Sequence, residues 1–362
     1  MSFVYSTAYL FEALLIGLLV SSGMAVAAIV VAKKIHLLDE PGSAPHKIHK
    51  EPIPIAGGIA LAGSLILLAV LLGVWQTPKL PGVLAAAGII FAAALWDDLY
   101  DLKPRYKLAA QIVAAIVVVV SGTYVKIFEA NSFFFQGPQS LRLVLDLVVT
   151  LVWMVGITNA FNLVDSADGL ASGLAAWAFA FFMLATHDAG QINLAIASAM
   201  LLGISLALCF FNAAPARLFL GDSGAQTLGF LLAAIAILYN PPERLQTNTW
   251  FMPIMLLGIP IFDTTLVFFS RLRCGKPFYR AGLDHTYHRL VRLGFSPSRA
   301  VMAMHFAALA LQCAAFIAVS LPPLWANLIF LVVLLTGAGC FYFLDRPQCR
   351  PDVVSHEPLH QS

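Results

Sequence analysis

Long apolar runs separated by short polar segments make up most of this chain. A helix needs ~20 apolar residues to cross a bilayer. On that measure the runs predict spans near 8–32, 53–74, 82–96, 106–125, 141–158, 169–186, 191–211, 223–239, 250–270, 298–320 and 322–344. The third stops early because charge arrives at Asp97. No internal repeat or low-complexity tract interrupts the series. The predicted fold class is all-α: a polytopic integral membrane protein of about eleven transmembrane helices. Residues 1–344 read as one multi-span domain and 345–362 as a disordered tail.

Composition agrees with this pattern. Hydrophobic residues make up 60% of the 362 residues and charged residues 11%, and the mean hydropathy is +0.85. A soluble domain carries about 25% charged residues, so a separate soluble domain has nowhere to fit. The first run is long enough to span and is followed by Lys33-Lys34, which reads as a retained span and not as a removed signal peptide. The five cysteines are scattered without a CxxC pair, which argues against a zinc site or a disulfide framework.

Charge in the loops sets the expected orientation. With the N-terminus outside, seventeen of the 21 Lys and Arg residues fall on the cytoplasmic side, and only Lys79, Lys126, Arg142 and Arg244 fall outside. This predicts an odd number of spans and a cytoplasmic C-terminus. The acids Asp97, Asp98, Asp101, Asp165, Asp168, Asp222, Asp263 and Asp284 gather on the same side, which the positive-inside rule does not require. Glu12, Glu129, Asp146, Asp188 and Glu243 fall on the outer side and read as solvated or interfacial groups. A face that is anionic and cationic at once suits an enzyme that meets a soluble phosphorylated substrate.

Four clusters carry the candidate chemistry. Asn159, Asn162, Asp165 and Asp168 follow one another at three-residue spacing. Each step falls short of a full helical turn by ~60°, so the set fits a helix that ends near Gly169 better than a straight ladder. Carboxylates and carboxamides at a membrane boundary are oxygen ligands suited to a hard cation, although an N-cap with a polar loop has the same composition. Asp97-Asp98-Leu99-Tyr100-Asp101 places like charges side by side, and Mg²⁺ would offset their repulsion. Lys103, Arg105 and Lys107 follow at once, as phosphate ligands or as membrane anchors; Lys103 fits the anchor better. Gly221-Asp222-Ser223-Gly224 opens a span where free backbone N–H groups favour anions, and Asn212 stands ten residues earlier. Asp263 is an acid inside an apolar run and needs a partner. His285 and His288 lie one turn apart beside Arg289, a set suited to diphosphate binding, with a metal pair as the weaker reading.

In these residues the chain resembles the polyprenyl-phosphate N-acetylhexosamine-1-phosphate transferases. That family includes the initiating enzymes of O-antigen, enterobacterial common antigen and teichoic acid synthesis, and phospho-N-acetylmuramoyl-pentapeptide transferase is a relative. Five motifs match in order: Lys47-x-His49-x-x-Pro52-x-Pro54-x-x-Gly57-Gly58; Asp97-Asp98-x-x-Asp101 with Lys107; Asn159-x-x-Asn162-x-x-Asp165-x-x-Asp168-Gly169; Gly221-Asp222-x-Gly224; and His285-x-x-His288. The resemblance implies transfer of a sugar-1-phosphate, most simply GlcNAc-1-phosphate, from a UDP-sugar to undecaprenyl or another polyprenyl phosphate, with release of UMP. It implies Mg²⁺ dependence, with Mn²⁺ as a substitute, in the inner (cytoplasmic) membrane with the active site on the cytoplasmic face.

By motif position Asp97, Asp98, Asp165 and Asp168 resemble the catalytic acids, and Asp98, Asp165 and Asp222 the metal ligands. Lys47, His49, Lys107, Asn159, Asn162, Asn212, His285, His288 and Arg289 fall where the family contacts its substrates. The implied partners are the UDP-sugar, the lipid phosphate and the membrane, with no nucleic acid; a homodimer is compatible with the chain. Three positions depart from the pattern. Ser166-Ala167 stands within the Asp-Gly-x-Asp-Gly motif, Ala225 ends Gly-Asp-x-Gly-Ser, and Tyr287 interrupts His-x-His-His. These bear on the donor sugar more than on the reaction. The peptidoglycan relative's histidine-rich loop is absent, which counts against that alternative. A secondary transporter would carry acids at the midplane and repeat symmetry, and neither is evident.

Overall fold

The structure, a computed structural model, describes residues 2–41, 51–130, 135–241, 246–275 and 282–345, with side chains described from residue 7. The helices are α1 (Ser2–Lys34), α2 (Gly57–Leu71), α3 (Leu80–Tyr100), α4 (Pro104–Val120), α5 (Gln139–Val164), α6 (Leu170–Asp188), α7 (Ile192–Asn212), α8 (Gly221–Leu238), α9 (Gln246–Thr249), α10 (Met252–Leu256), α11 (Gly258–Arg273), α12 (Thr286–Arg292), α13 (Pro297–Val319) and α14 (Pro323–Asp345). Two short strands, β1 (Leu38–Asp39) and β2 (Ile53–Pro54), pair antiparallel between α1 and α2.

The all-α class holds, and the chain is a multi-pass membrane protein. Among the described residues eight helices are long and apolar enough to cross a membrane, or nine if a bent pair counts as one span. Helices α2 and α4 occupy the second and fourth expected spans but are only 15 and 17 residues long. The ninth expected span, 250–270, is not one straight helix. The segment Gln246–Leu256 meets Gly258–Arg273 at 68°. Gly258 and Pro260 lie at or just past the break, where proline withholds a backbone N–H and glycine weakens the helix.

Helices α6, α7 and α8 form the centre, whereas α14 lies at the edge: 78% of the most apolar window of α8 is buried against 6% of that of α14. Helix α1 packs closely on α7, because a Cβ on Gly17 would stand 2.7 Å from the Met200 carbonyl oxygen. Small residues of this kind allow backbone approach where lipid gives no hydrophobic drive to associate.

Two ends differ from expectation. Asp146, read as solvated, is fully buried. Its carboxylate accepts the backbone N–H groups of Ile127, Phe128 and Glu129 at 2.9–3.0 Å and so holds the α4–α5 connection against α5. Asp345, the first residue of the expected tail, is buried at the end of α14 and pairs with Arg273 at 2.7 Å; residues 346–362 lie outside the described set. Cys274 is disulfide-bonded, which the scatter of the five cysteines did not suggest.

Candidate active site

Alternate helices run in opposite directions, so the C-terminal ends of α3, α5 and α7 stand beside the N-terminal ends of α4, α6 and α8. The polar motifs sit at those ends. Charge did not end α3 at the span boundary: the helix continues to Tyr100 and carries Asp97 into a buried position.

Asp97 accepts the Leu102 N–H at 2.6 Å with one oxygen and pairs with Lys107 through the other. The Lys107 ammonium also donates to Asp222 at 2.8 Å. One lysine, carried by the first turn of α4, therefore bridges acids from α3 and α8. The Asn162 amide of α5 also hydrogen-bonds Asp222.

Asp98 faces the start of α8. One oxygen accepts the Asp222 N–H at 2.8 Å, and the other accepts the Ser223 N–H at 3.1 Å and the Ser223 hydroxyl at 2.5 Å. The first-turn N–H groups of a helix lack intrahelical partners, and a carboxylate there satisfies them and meets the positive end of the dipole. Gly221 allows the approach. Its φ is +68°, and a Cβ would stand 2.5 Å from Ile55 Cγ2 and 2.8 Å from Asp98 Oδ2. Ile55 is held there because Phe219 pairs with the chain after β2, its N–H donating to Pro54 O at 2.9 Å.

Helix α5 ends at Val164, so Asn159 and Asn162 are helical while Asp165 and Asp168 lie in the turn before α6. The three-residue spacing predicts such a loosened end near Gly169, and the helix stops earlier, at Val164. Burial raises the Asp165 carboxyl to about 8, helped by the negative charges of Asp222, Asp168 and Asp98. Asp168 accepts the Ala216 N–H at 3.3 Å. Asn212 accepts the Gly169 N–H and the Ser172 hydroxyl, each at 3.0 Å, and donates to Leu218 O at 3.1 Å. It therefore locks the α5–α6 turn to the α7–α8 turn, and its side-chain groups are engaged within the protein.

The loop after α11 supplies a second group. Asp263 of α11 accepts the Thr286 N–H at 2.6 Å and meets His285 Nδ1 at 2.9 Å, which seats the buried His285 at the start of α12. The partner that Asp263 needs is this imidazole. Arg271 grips Asp284 with two bonds of 2.7 Å. Burial alone would raise the Asp284 carboxyl, but the Arg271 contact overrides it and lowers it. Tyr287 approaches the acid turn, since burial and the charge of Asp168 raise its hydroxyl. The His285 and His288 rings are 6.3 Å apart.

Arg289, expected where the family contacts its substrates, is engaged within the protein. It is 2% exposed, donates to Asp284 O at 2.7 Å and to Leu344 O at 3.1 Å, and stands 3.4 Å from Asp345. It ties α12 to the end of α14. Lys47 and His49 lie outside the described residues. Among the described residues no three His, Cys, Asp or Glu side chains converge as a closed metal cage. The expected trio of Asp98, Asp165 and Asp222 is thus not assembled, because both Asp98 oxygens serve the start of α8. The donor chemistry still fits one hard cation: Asp165 and Asp222 are mutually repelling carboxylates, and Mg²⁺ takes one or two of these and completes its shell with water and phosphate. Gln111, Gln226 and Ser223 were not singled out from the sequence, and Tyr287 was noted only as a departure from the histidine motif. For Gln111 the available signal was an amide alone in an apolar helical run.

Residues 80–240, which hold most of these groups, match the family described as glycosyl transferase family 4. Over 308 residues the chain is 27% identical to the probable undecaprenyl-phosphate N-acetylglucosaminyl 1-phosphate transferase of Bacillus subtilis, covering 84% of this chain and 83% of the relative. It is 29% identical over 325 residues to the undecaprenyl-phosphate alpha-N-acetylglucosaminyl 1-phosphate transferase of Yersinia pestis, covering 86% and 85%. It is also 29% identical to the decaprenyl-phosphate N-acetylglucosaminephosphotransferase of Mycolicibacterium smegmatis over 289 residues, covering 71% and 70%. The matched stretch runs from α3 to the end of α8 and contains the acid cluster, so the likeness to glycosyl transferase family 4 falls on the site itself.

Proposed function

We propose that this protein transfers N-acetylglucosamine-1-phosphate from UDP-N-acetylglucosamine to a polyprenyl phosphate, releasing UMP, at the cytoplasmic face of the inner membrane and with Mg²⁺. The observation that carries the reading is the convergence of Asp97, Asp98, Asp165 and Asp222 from two helices and a turn, with Lys107 of a third helix bridging two of them. The names of the relatives supply the substrates.

The chemical difficulty is electrostatic. Two unit like charges 4 Å apart repel by ~4 kcal/mol at an effective dielectric of 20, and a diphosphate must meet a lipid monophosphate. A divalent cation supplies charge neutralisation between the phosphates and on the departing UMP. Asp222 and Asp165 would hold it. Lys107, already between Asp97 and Asp222, adds a fixed positive charge beside the reacting phosphates. A lipid phosphate oxygen attacks the sugar-side phosphorus, the bridging P–O bond breaks, and its electron pair leaves with UMP. The anomeric C–O bond stays intact. Asp98, engaged with α8, fixes Asp222 in place and does not act as a base. Tyr287, which feels the charge of Asp168, and His288 and His285 beside it would form the side of the site where the donor sugar and diphosphate would lie.

The test is UMP release by the purified full-length chain supplied with UDP-N-acetylglucosamine and undecaprenyl phosphate. Asp222→Ala is expected to lower the rate ~100-fold or more while the protein stays folded. Full activity in this variant removes Asp222 from the site. A wild-type chain that releases no UMP from any UDP-sugar refutes the function.

A further inference from the structure

A second polar layer lies one helical turn deeper than the acids. Gln111 stands four residues after Lys107 in α4, Gln226 four after Asp222 in α8, and Asn159 three before Asn162 in α5. Each amide is thus stacked beneath a residue of the site. Gln111 is 2% exposed, inside an apolar stretch of α4, and Gln226 is 3% exposed, beside the buried Thr227 of α8. Buried amides in such surroundings carry a free-energy cost unless they are hydrogen-bonded.

These three satisfy one another. Gln111 Nε2 donates to Gln226 Oε1 at 2.9 Å and to Asn159 Oδ1 at 3.2 Å. Asn159 Nδ2 donates back to Gln111 Oε1 at 2.7 Å and to Val155 O at 2.9 Å. With its carbonyl taken, Gln226 turns its amino group outward, and Nε2 donates to Asp222 Oδ2 at 3.4 Å, the longest bond of the set. Donor and acceptor ends of an amide are assigned from such a network, and here every bond fits one assignment. That oxygen of Asp222 also receives Lys107.

We propose that Gln111, Asn159 and Gln226 are positioning residues, a buried amide relay that orients the Asp222 carboxylate toward the cation and Lys107. The proposal rests on the reading of Asp222 as a cation ligand in the transferase site. It also reassigns Asn159, which lies in the deeper layer, from substrate contact to support. A network whose sole task was to join α4, α5 and α8 would have no need to end on an acid. This one ends with an N–H directed at the carboxylate.

The experiment uses the full chain in nanodiscs. Mn²⁺ binding is followed by electron paramagnetic resonance and UMP release is followed in parallel. Gln226→Leu and Gln111→Leu are each expected to weaken Mn²⁺ about tenfold, as loss of a group supporting a ligand does. They should lower kcat and leave the donor KM unchanged, and the double variant should be no worse than either single one, because both cut one chain. Gln111→Glu keeps the shape and the acceptor for Asn159 but loses the donation to Gln226. It is expected to show the same loss where the leucine variants do not fold. Variants that bind Mn²⁺ and turn over like wild type overturn the relay and leave the transferase reading standing. A wild-type chain that binds Mn²⁺ but releases no UMP overturns the transferase reading alone, and weaker Mn²⁺ binding in the variants then still supports the relay. A wild-type chain that does neither overturns both.

Discussion

Asp165 shows how a single residue reports on the charge of the site. It stands in the turn after α5, where burial and three neighbouring carboxylates raise its carboxyl to about 8. The group is therefore mostly protonated at neutral pH when no cation is bound. A divalent ion needs the carboxylate, so binding must expel the proton. The sign follows: affinity rises as pH rises toward 8 and levels off above it, by up to about tenfold per unit below that point. Mn²⁺ titrations between about pH 6 and about pH 9 should show this slope. At neutral pH the same titration should release a proton, read as a dependence of the binding heat on the buffer's ionisation enthalpy. Asp165→Asn should bind more weakly and without the slope. A pH-independent affinity in the wild type would remove Asp165 from the cation's ligands.

Turns between helices bring the acids together, and this scale was the harder one to read from sequence. Periodicity located the helices, since a run of apolar residues reports on one element at a time. It also predicted that the helix carrying the ladder would end near Gly169, because the three-residue ladder cannot stay on one helical face, and α5 ends somewhat earlier, at Val164. It gave no sign that Asp98 would close the start of α8, a contact across more than a hundred residues of chain. It missed the bend in the ninth span because hydropathy runs smoothly through Met252–Leu256 into α11. It placed Asp146 in solvent because a lone acid at a span end looks the same whether water or backbone N–H groups receive it. The α3–α8 junction is directly testable. Gly221→Ala introduces a Cβ 2.8 Å from Asp98 Oδ2 at a left-handed φ, a strain of roughly 1–3 kcal/mol. The expected outcome is loss of UMP release by about tenfold or more with a modest fall in thermal stability, since Asp222 rides on the displaced turn. Wild-type turnover in Gly221→Ala would show that the Asp98 contact does not set the geometry of the site.

At the scale of the whole molecule, one end of the bundle holds the chemistry. Asp97, Lys107, Asp165 and Asp222 stand at that end, as does the Arg289–Asp345 tie that fastens α12 to α14. The opposite end holds Lys79, Lys126 and Arg142. Lys and Arg in short loops stay on the cytoplasmic side, so the asymmetry in charge and the position of the site make one prediction together. Single cysteines at Lys79 and Arg105, both exposed, test it in a chain from which all five native cysteines have been removed. A membrane-impermeant maleimide applied to intact cells should label Lys79→Cys and leave Arg105→Cys unreacted until the membrane is opened. The reverse pattern would put the acids on the outer face, out of reach of a cytoplasmic nucleotide sugar. The transferase reading would then fail even with every distance in the site unchanged.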